Sequence, residues 1–320
     1  MLETVACNLC GSTHNTPVYK KPDTLLHPPQ WFTVVECDAC GLGFTNPRPT
    51  RKTMDEHYPS EFFGTFQEET QYHAKRYARE AALVQRYVKR PAGRLLDVGC
   101  AGGDFARVMA GLGWTVEGVE TASNAPAMND FPVYRCEFSD IPVDTPTYDV
   151  VTAWAVIEHV HDPMSYFKKA RQVLKPGGFF VLLVTNFSSV SSRCLFREDV
   201  PRHLYFFTEP CMKRYFEMVN LEFVDSRYHK DIYAMEPSHW LRYQLFYRLR
   251  NRPYLWEDVD QGYAAYLQKS GASPGVGATL RYGLGHPFYL VDRLVTPIVG
   301  QWQILRKQYG IVTYIARRPE

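Results

Sequence analysis

The feature that most constrains this chain is a cluster of glycines between two apolar runs. In order, the stretch contains an apolar run, the glycine cluster, a helical pattern, a second apolar run and a carboxylate: Leu95–Val98, Gly99–Gly103, Phe105–Leu112, Trp114–Val119 and Glu120. Short apolar runs joined by a glycine turn and a helix predict a strand, a tight turn, a helix and a second strand. The chain is therefore predicted to contain a β-α-β unit of an α/β domain.

The glycine turn is suited to hold a ligand close to the main chain. Glycine lets the backbone turn sharply and leaves room for a bound group. The start of the following helix supplies free N–H groups for a negatively charged group. Glu120, at the tip of the second strand, can accept hydrogen bonds from both hydroxyls of a ribose. These features predict a cofactor that contains a nucleoside.

The spacing of the glycines separates two cofactor classes. The dinucleotide fingerprint requires G-x-G-x-x-G/A, but the frame from Gly99 places Ala101 and Asp104 at the second and third positions. The stretch from Asp97 to Gly103 instead resembles motif I of class I S-adenosylmethionine-dependent methyltransferases, with Ala101 where that family most often has glycine. The resemblance implies S-adenosylmethionine as cofactor, with these binding residues: Asp97, Gly99, Ala101, Gly103 and Glu120.

Two Cys-x-x-Cys knuckles, each followed by glycine, lie near the start of the chain about 26 residues apart. Their cysteines are Cys7, Cys10, Cys37 and Cys40. This spacing is typical of a four-thiolate Zn²⁺ site, and four thiolates leave no open position for catalysis. The knuckles therefore predict a structural zinc ribbon, with strands at Val18–Tyr19 and Trp31–Val35. The whole head resembles the zinc-ribbon leader of a bacterial small-molecule and glycan methyltransferase subfamily.

Further resemblances follow each predicted strand of the core. Glu158-His159-Val160, after the buried run Tyr148–Ile157, is similar to the segment after the fourth strand of ubiquinone-type methyltransferases. This resemblance implies that His159 lies near the reacting methyl group. The segment around His203 also resembles that family, and the resemblance implies that His203 faces the substrate. The segment Ser139–Pro142 resembles the adenine-contacting turn of the family, which implies cofactor contacts by Asp140 and Ile141, and Trp154 is a further candidate.

The fold class predicted is α/β, a Rossmann-like class I methyltransferase with a seven-stranded sheet, an N-terminal zinc ribbon and a helical insertion before the last strand. Five regions are expected. They are a zinc ribbon at 1–50, a leading helical segment over the cofactor at 51–90, the core at 91–227, an aromatic-rich insertion at 228–308 and the last core strand at 309–320. Within the leading segment, Tyr58 and Tyr72 are candidates to contact the cofactor.

The insertion at 228–308 has three interpretations. It is a lid over the substrate, a surface for homo-oligomer contact, or a peripheral membrane contact through residues 287–305. Leu290, Leu294 and Ile298 give the last helix an apolar stripe, and such stripes usually face a core. Because few Lys or Arg residues flank the stripe, we expect a lid or an oligomer contact before a membrane contact. The glycine-rich stretch Gly271–Gly285 is expected to be a mobile break.

Composition excludes several classes of partner. The formal net charge is +2, and nucleic-acid partners usually require a basic stripe, so no nucleic acid is expected. The first residues resemble no secretory signal, no run is long enough to span a membrane, and a cytoplasmic location is expected. The alternatives considered are an rRNA base methyltransferase, a hydride-transfer dehydrogenase and a non-catalytic binding protein.

The expected chemistry is in-line transfer of an activated methyl group to a hydroxyl of a small molecule, natural product or glycan. Positioning of the nucleophile supplies much of the rate enhancement in such a reaction. A phenol or sugar hydroxyl also needs a base, for which His159 and His203 are the candidates. The sequence does not choose between them, and N- or C-methylation stays open.

Overall fold

The structure is a computed structural model. It describes residues 1–23, 28–58, 70–89, 91–122, 130–193, 199–228, 230, 232, 240–242, 245, 266–267, 269–271, 273 and 275–320.

Strands and helices of the described residues are numbered in chain order. The strands are β1 Leu2–Glu3, β2 Asn15–Pro22, β3 Trp31–Cys37, β4 Gly43–Thr45, β5 Arg48–Pro49, β6 Arg94–Val98, β7 Thr115–Val119, β8 Val133–Tyr134, β9 Tyr148–Trp154, β10 Leu174–Thr185, β11 Tyr205–Phe206, β12 Glu222–Arg227 and β13 Ile311–Arg317. The helices are α1 Thr70–Val88, α2 Asp104–Gly111, α3 Pro163–Val173, α4 Val190–Arg193, α5 Glu209–Met218, α6 Trp240–Arg242, α7 Val276–Gly285 and α8 Pro287–Leu305. Two 3₁₀ turns lie at Met54–His57 and Phe138–Asp140.

The core is a seven-stranded sheet with the order β12-β13-β10-β9-β6-β7-β8. Strands β6 to β10 pair in parallel, whereas β13 is antiparallel to both of its neighbours, β10 and β12. Every residue of β9 is buried, as expected for a central strand covered by helices on both faces. The predicted Rossmann-like seven-stranded sheet is confirmed.

The predicted β-α-β unit is formed by β6, α2 and β7. The turn between β6 and α2 requires left-handed backbone at Gly99, with φ of +69°, and at Gly103, with φ of +80°. A side chain at Gly99 would also collide with its surroundings, because its Cβ would lie 2.5 Å from Val156 Cγ2. Glycine is therefore required at this position for both conformation and space.

The N-terminal ribbon forms a second sheet with the order β11-β4-β3-β2. Its edge strand β11 comes from the core region, where Tyr205 and Phe206 pair antiparallel with Phe44 and Gly43. The sequence analysis predicted β2 and β3 but not this fourth strand. Main-chain pairing thus joins the ribbon to the segment that carries His203.

Several element predictions differ from the structure. The stretch Gly271–Gly285 is expected to be a mobile break between helices, but residues 276–285 form α7, so the break is wrong there. The mobility of this stretch stays a prediction. The strand predicted to follow the Lys175–Gly178 turn begins earlier, at Leu174, with an irregularity in its pairing to β9. The sequence pattern also predicts a helix from near Thr121 and helical stretches at 238–250 and 255–269, and most of these residues lie outside the described part of the chain. The five region boundaries stay predictions.

Helix α8 presents its apolar stripe to solvent. Leu294 and Ile298 are 68% and 70% exposed. The opposite face, which contacts the rest of the protein, contains the buried polar residues Asp292, Thr296 and Gln303. The stripe therefore faces solvent rather than the core, and the three interpretations of the insertion stay predictions. Among the described helices, none is both long enough and apolar enough to cross a bilayer.

Candidate active site and cysteine cluster

The predicted cofactor residues around the glycine turn lie close together at the carboxyl ends of β6 and β7. Asp97 is the fourth residue of β6, Gly99 and Ala101 form the turn, and Gly103 precedes α2. Ala101 adopts a positive φ of +47°. In open α/β sheets this edge of the sheet is where ligands bind.

The Asp97 carboxylate is buried, with 2% of its surface exposed. Its Oδ1 accepts a hydrogen bond of 2.7 Å from Thr152 Oγ1 on β9. Burial raises the pKa of Asp97 to about 8, and the nearby carboxylate of Glu80 adds to the shift. The site is thus arranged to favour a cation next to Asp97, because a positive charge would restore the ionised form.

Glu80, on α1, was not singled out by the sequence analysis. Its side chain is fully buried and accepts a hydrogen bond of 2.8 Å from Arg76 Nε. Burial raises the pKa of Glu80 to about 7. An acidic residue within a helical pattern gives no signal of burial, so the pairing of Glu80 with the motif carboxylate could only be seen in three dimensions.

Glu120 stands at the tip of β7, as predicted. Its Oε2 accepts from Ala101 N and its Oε1 accepts from Ala122 N, each at 2.8 Å. These two main-chain donors fix the orientation of the carboxylate. Each oxygen keeps a second lone pair for a ribose hydroxyl.

The remaining three predicted cofactor residues lie on two segments. The exposed Asp140 ends the 3₁₀ turn Phe138–Asp140 and accepts a hydrogen bond of 3.0 Å from Ser139, while Ile141 beside it is buried. Trp154 ends β9 and packs edge-on against Phe105 of α2, with ring centroids 5.2 Å apart. Trp154 therefore lies against the helix that starts at the glycine turn.

His159 and His203 are brought together by the fold, although they are far apart in the sequence. Their ring centroids are 4.7 Å apart at an interplanar angle of 82°. His159 follows β9 in the same loop as Val156, which contacts the glycine turn. The two imidazoles thus lie at the ligand edge of the sheet, close to the predicted cofactor site.

The hydrogen bonds of His159 define its tautomer. Its Nδ1 lies 3.1 Å from the carbonyl oxygen of Arg202 and 3.3 Å from the hydroxyl of Tyr58. A carbonyl oxygen can only accept, so Nδ1 carries the proton and Nε2 keeps its lone pair. Burial, and next the neighbouring His203, lower the pKa of His159 to about 3. His159 is therefore neutral across the physiological pH range.

A buried ionic network next to the two histidines was missed by the sequence analysis. Arg202 donates from Nε to both oxygens of Asp199 at 2.8 Å, and from Nη1 to Asp23 at 3.1 Å and to the His57 carbonyl at 2.8 Å. His57 Nδ1 lies 2.8 Å from the other oxygen of Asp23. Asp23, His57 and Arg202 are each at most 3% exposed. Only the tertiary structure assembles these charges, because they come from three separate segments.

Tyr58 and Tyr72 are the two residues of the leading segment predicted to contact the cofactor, and the structure describes only the side chain of Tyr58. The hydroxyl of Tyr58 contacts His159 rather than the glycine turn, and burial raises the pKa of Tyr58 well above its ordinary value. The side chain of Tyr72 lies outside the described part of the chain. Contact of either residue with the cofactor stays a prediction.

The four predicted cysteine ligands converge. All four sulfur atoms lie within 4.8 Å of one another, and the Cys7–Cys40 and Cys10–Cys37 sulfurs are each 3.5 Å apart. Four thiolates around one Zn²⁺ would be separated by about 3.8 Å, given Zn–S bonds of about 2.3 Å and tetrahedral angles. The donor set and its spacing thus fit a tetrahedral metal ion.

The two knuckles share one local geometry. Gly11 and Gly41 both have φ of +75°, and each donates its N–H to the carbonyl of the first cysteine at 2.8 Å. Main-chain N–H groups two and three residues further along donate to the sulfurs of Cys7 and Cys37. Such donors stabilise a thiolate, whereas burial raises the pKa of the Cys7 thiol to about 11. A bound cation would stabilise the thiolate form and so outweigh the effect of burial.

The ribbon contacts the core through polar groups as well as through β11. Asn8, within the first knuckle, donates to Asp162 at 2.8 Å and accepts from Met164 N at 3.0 Å, at the start of α3. Thr45 Oγ1 donates to the carbonyl of His203 at 2.9 Å. These hydrogen bonds therefore link the ribbon that holds the cysteine cluster to the segments that surround the histidine pair.

Comparison with known families identifies the core. Residues 70–226 match the family described as a methyltransferase domain. These residues contain the glycine turn, both histidines and six strands of the confirmed sheet. The core is a class I S-adenosylmethionine-dependent methyltransferase domain.

Curated relatives of this methyltransferase domain include ubiquinone biosynthesis O-methyltransferases. The protein from Cereibacter sphaeroides (strain ATCC 17025) is 36% identical over 107 residues, which cover 29% of this chain and 41% of that protein. The one from Thiobacillus denitrificans is 36% identical over 108 residues, covering 30% and 47% respectively. The chain thus spans less than half the length of these relatives.

Solved structures similar to this one include methyltransferases. The Burkholderia thailandensis 1,6-didemethyltoxoflavin N1-methyltransferase covers 90% of this chain and 96% of its own, with 12% identity and a TM-score of 0.48. A methyltransferase from Archaeoglobus fulgidus covers 79% and 99%, with 16% identity and a TM-score of 0.48. The strand order and the family match carry the fold assignment.

Proposed function

We propose that this protein catalyses S-adenosylmethionine-dependent methyl transfer to a hydroxyl group of a small molecule, natural product or glycan. The observation that carries the proposal is the imidazole pair, His159 and His203, in contact at the same sheet edge as the glycine turn. The relatives' activity, O-methylation in ubiquinone biosynthesis, supports a hydroxyl acceptor. N- and C-methylation of a small molecule are the alternatives.

The residues around the glycine turn fit the cofactor. Asp97 is a buried carboxylate that favours a neighbouring cation, and the oriented oxygens of Glu120 fit a ribose. Asp140, Ile141 and Trp154 are proposed to contact the adenine side, and Gly99, Ala101 and Gly103 the main-chain side. When bound, S-adenosylmethionine supplies a methyl group already activated by the positive sulfonium.

The two histidines are suited to different roles. His159 stays neutral and is a weak base, because its pKa is about 3, so its Nε2 serves to accept a hydrogen bond and orient the acceptor hydroxyl. The Arg202 guanidinium holds the pKa of the Asp199 carboxyl below its usual range although burial opposes it. An ionised carboxylate near His203 would stabilise the imidazolium that forms when this imidazole takes up a proton. We therefore propose His203 as the base that removes the hydroxyl proton.

The cysteine cluster is proposed to hold one structural Zn²⁺. The four sulfurs of Cys7, Cys10, Cys37 and Cys40 would occupy all tetrahedral positions, which leaves none for a substrate. Metal analysis of the purified protein should find about one zinc per chain. Replacement of Cys37 by Ser should reduce that content strongly, whereas Cys136→Ser, outside the cluster, should not.

Calorimetric titration with S-adenosylhomocysteine tests the cofactor assignment, with NAD as the control ligand. Micromolar binding of the thioether that is lost in Glu120→Ala is expected, because that carboxylate is held at the ribose end of the turn. If the thioether does not bind, the methyl-transfer proposal fails. Binding of NAD instead would favour a dehydrogenase.

Methyl transfer to a panel of phenolic and sugar acceptors tests the role of the histidines. His203→Gln should lower kcat by about 10²- to 10⁴-fold, the usual contribution of a general base. His159→Gln should mainly raise KM for the acceptor. Binding of S-adenosylhomocysteine should be unchanged in both variants, and an unchanged kcat in His203→Gln would exclude it as the base.

A further inference from the structure

The exposed apolar face of α7 and α8 has no counterpart elsewhere among the described helices. On α8, Leu294, Ile298 and Leu305 are 68%, 70% and 82% exposed, and Leu284 at the end of α7 is 84% exposed. Residues 294, 298 and 305 lie on one side of an α-helix at 100° per residue. This face is apolar where a helix on the surface of a monomer is normally polar.

The buried face of the same helix is polar, and Asp292 and Thr296 on it form hydrogen bonds within the protein, whereas the buried Gln303 side chain has no hydrogen-bond partner among the described residues. Asp292 is 2% exposed and accepts a hydrogen bond of 2.7 Å from Leu241 N on α6. Thr296 Oγ1 donates to the carbonyl of Asp292 at 2.7 Å. Because these polar groups are bound on the inner side, the helix is seated with its apolar side outward by specific contacts. The outward orientation is a property of the fold.

The exposed charges of residues 275–308 are all positive. This stretch has four exposed cationic side chains, Arg281, Arg293, Arg306 and Lys307, and one carboxylate, the buried Asp292. Lys307 forms an ion pair of 3.1 Å with Glu209, so the three arginines supply most of the positive charge of this surface. Arg306 lies over the ring of Trp302, with 5.8 Å from its guanidinium carbon to the ring centroid. Cations and a tryptophan beside an apolar face are the composition of helices that lie on anionic membranes.

The face is connected to the ligand edge of the sheet. Asn186, directly after β10, donates from Nδ2 to the carbonyls of Lys307 and Tyr309 at 3.1 and 2.8 Å. The C-terminal end of α8 is thus held at the carboxyl end of β10, the same edge at which His159 and His203 lie.

We propose that α7 and α8 form a docking surface for an anionic lipid bilayer, into whose interface the apolar face inserts. A second copy of the chain fits less well, because the cations of one copy would meet those of the other without an exposed carboxylate from residues 275–308. An anionic lipid surface complements the same charges. The sequence alone favoured a lid or an oligomer contact, because few Lys or Arg residues flank the stripe. The present proposal reverses that preference. The proposal goes beyond methyl transfer and does not depend on it.

Co-sedimentation of the full chain with vesicles tests the proposal. Binding is expected to phosphatidylcholine vesicles containing about 30% phosphatidylglycerol, and to weaken at high salt as the cationic component is screened. The variant Leu294→Ser/Ile298→Ser should lose at least about tenfold in vesicle affinity, since two apolar side chains no longer insert. Arg281→Gln/Arg306→Gln should lose affinity for anionic vesicles and become less sensitive to salt, since Arg293 and Lys307 remain.

A matched control replaces apolar side chains that are exposed elsewhere, Leu112→Ser/Met218→Ser, and should bind vesicles like the unaltered protein. Unchanged binding of S-adenosylhomocysteine shows that each variant is folded.

The proposal is overturned if the unaltered protein does not bind anionic vesicles, or if Leu294→Ser/Ile298→Ser binds them normally. It is also overturned if light scattering shows a dimer that this variant converts to a monomer, which would assign the face to a second copy. Vesicle binding requires no turnover, so its failure is distinct from failure of the methyl-transfer proposal.

Discussion

At the scale of single residues, Ala101 is held in a conformation that alanine disfavours. Its φ is +47°, in the left-handed region, where a Cβ costs roughly 1–2 kcal/mol. Ala101→Gly should therefore increase the free energy of unfolding by about 0.5–1 kcal/mol, after the larger chain entropy of glycine is subtracted. Urea denaturation measures this change.

A helix position provides the matched control. Ala110 is exposed within α2, where the same substitution to Gly should decrease the free energy of unfolding by about 1 kcal/mol. Equal destabilisation at both positions would contradict the assigned backbone of the turn. The family's preferred glycine is thus expected to be the more stable residue here.

Asp97 links cofactor binding to a proton. Its pKa is about 8 in the free protein, so at pH 7 the carboxyl is mostly protonated. A cationic ligand group lowers that pKa, so binding should release up to about one proton per site at pH 7, and affinity should rise with pH up to about 8. Titrations with S-adenosylhomocysteine in buffers of different ionisation enthalpy measure the release.

Asp97→Asn is the control for this linkage. The variant has no carboxyl to ionise, so most of the proton release should disappear. Glu80, with a pKa of about 7, also titrates in this range, and Glu80→Gln reports its share separately. Full proton release in Asp97→Asn would show that another group titrates on binding.

At the scale of elements, the ionic network around Arg202 joins the end of β2, the 3₁₀ turn Met54–His57 and the loop that carries His203. A buried donor that loses its acceptor costs about 1–3 kcal/mol. Asp23→Ala should therefore decrease the free energy of unfolding by about this amount, because Arg202 Nη1 and His57 Nδ1 both lose their contact with Asp23 while Asp199 still compensates the charge of Arg202.

The exposed pair between Arg51 and Glu137, at 3.2 Å, provides the comparison. Arg51→Gln should change the free energy of unfolding by no more than about 0.5 kcal/mol, since exposed ion pairs contribute little. Thermal and urea unfolding of both variants test the contrast. Similar small effects in both variants would mean that the buried network contributes little to stability.

At the scale of the whole molecule, the ribbon and the core are one structure. Strand β11 completes the ribbon sheet, and Thr45 of β4 holds the His203 carbonyl. Removing zinc by chelation should lower the melting temperature and impair methyl transfer through His203. It should leave the affinity for S-adenosylhomocysteine within about twofold, because the glycine turn belongs to the core sheet.

Differential scanning calorimetry before and after chelation measures the melting temperature, and titration calorimetry measures the affinity for S-adenosylhomocysteine. Restoring zinc should restore the melting temperature. A parallel loss of S-adenosylhomocysteine affinity would contradict the separation of the two sites. In that case the ribbon would also support the cofactor side.

Much of the fold was predictable from local patterns. The glycine turn requires particular backbone angles, and the apolar runs on either side are long enough to define β6, α2 and β7 on their own. The metal site was equally predictable from the sequence, because each Cys-x-x-Cys knuckle supplies two of the four ligands that one Zn²⁺ requires. The histidines were identified only through a family resemblance, since a single histidine carries no local signal of its role.

The sequence by itself determined most elements of the core sheet, the order in which they alternate and the residues able to bind a nucleoside or a metal, because these depend on short-range spacing. The tertiary structure decided which groups meet. It decided that β11 completes the ribbon, that Arg202 joins Asp23 and Asp199, and that the apolar stripe of α8 faces outward. Helical periodicity shows that a helix has two faces, and only long-range burial and hydrogen bonding decide which of them contacts the protein.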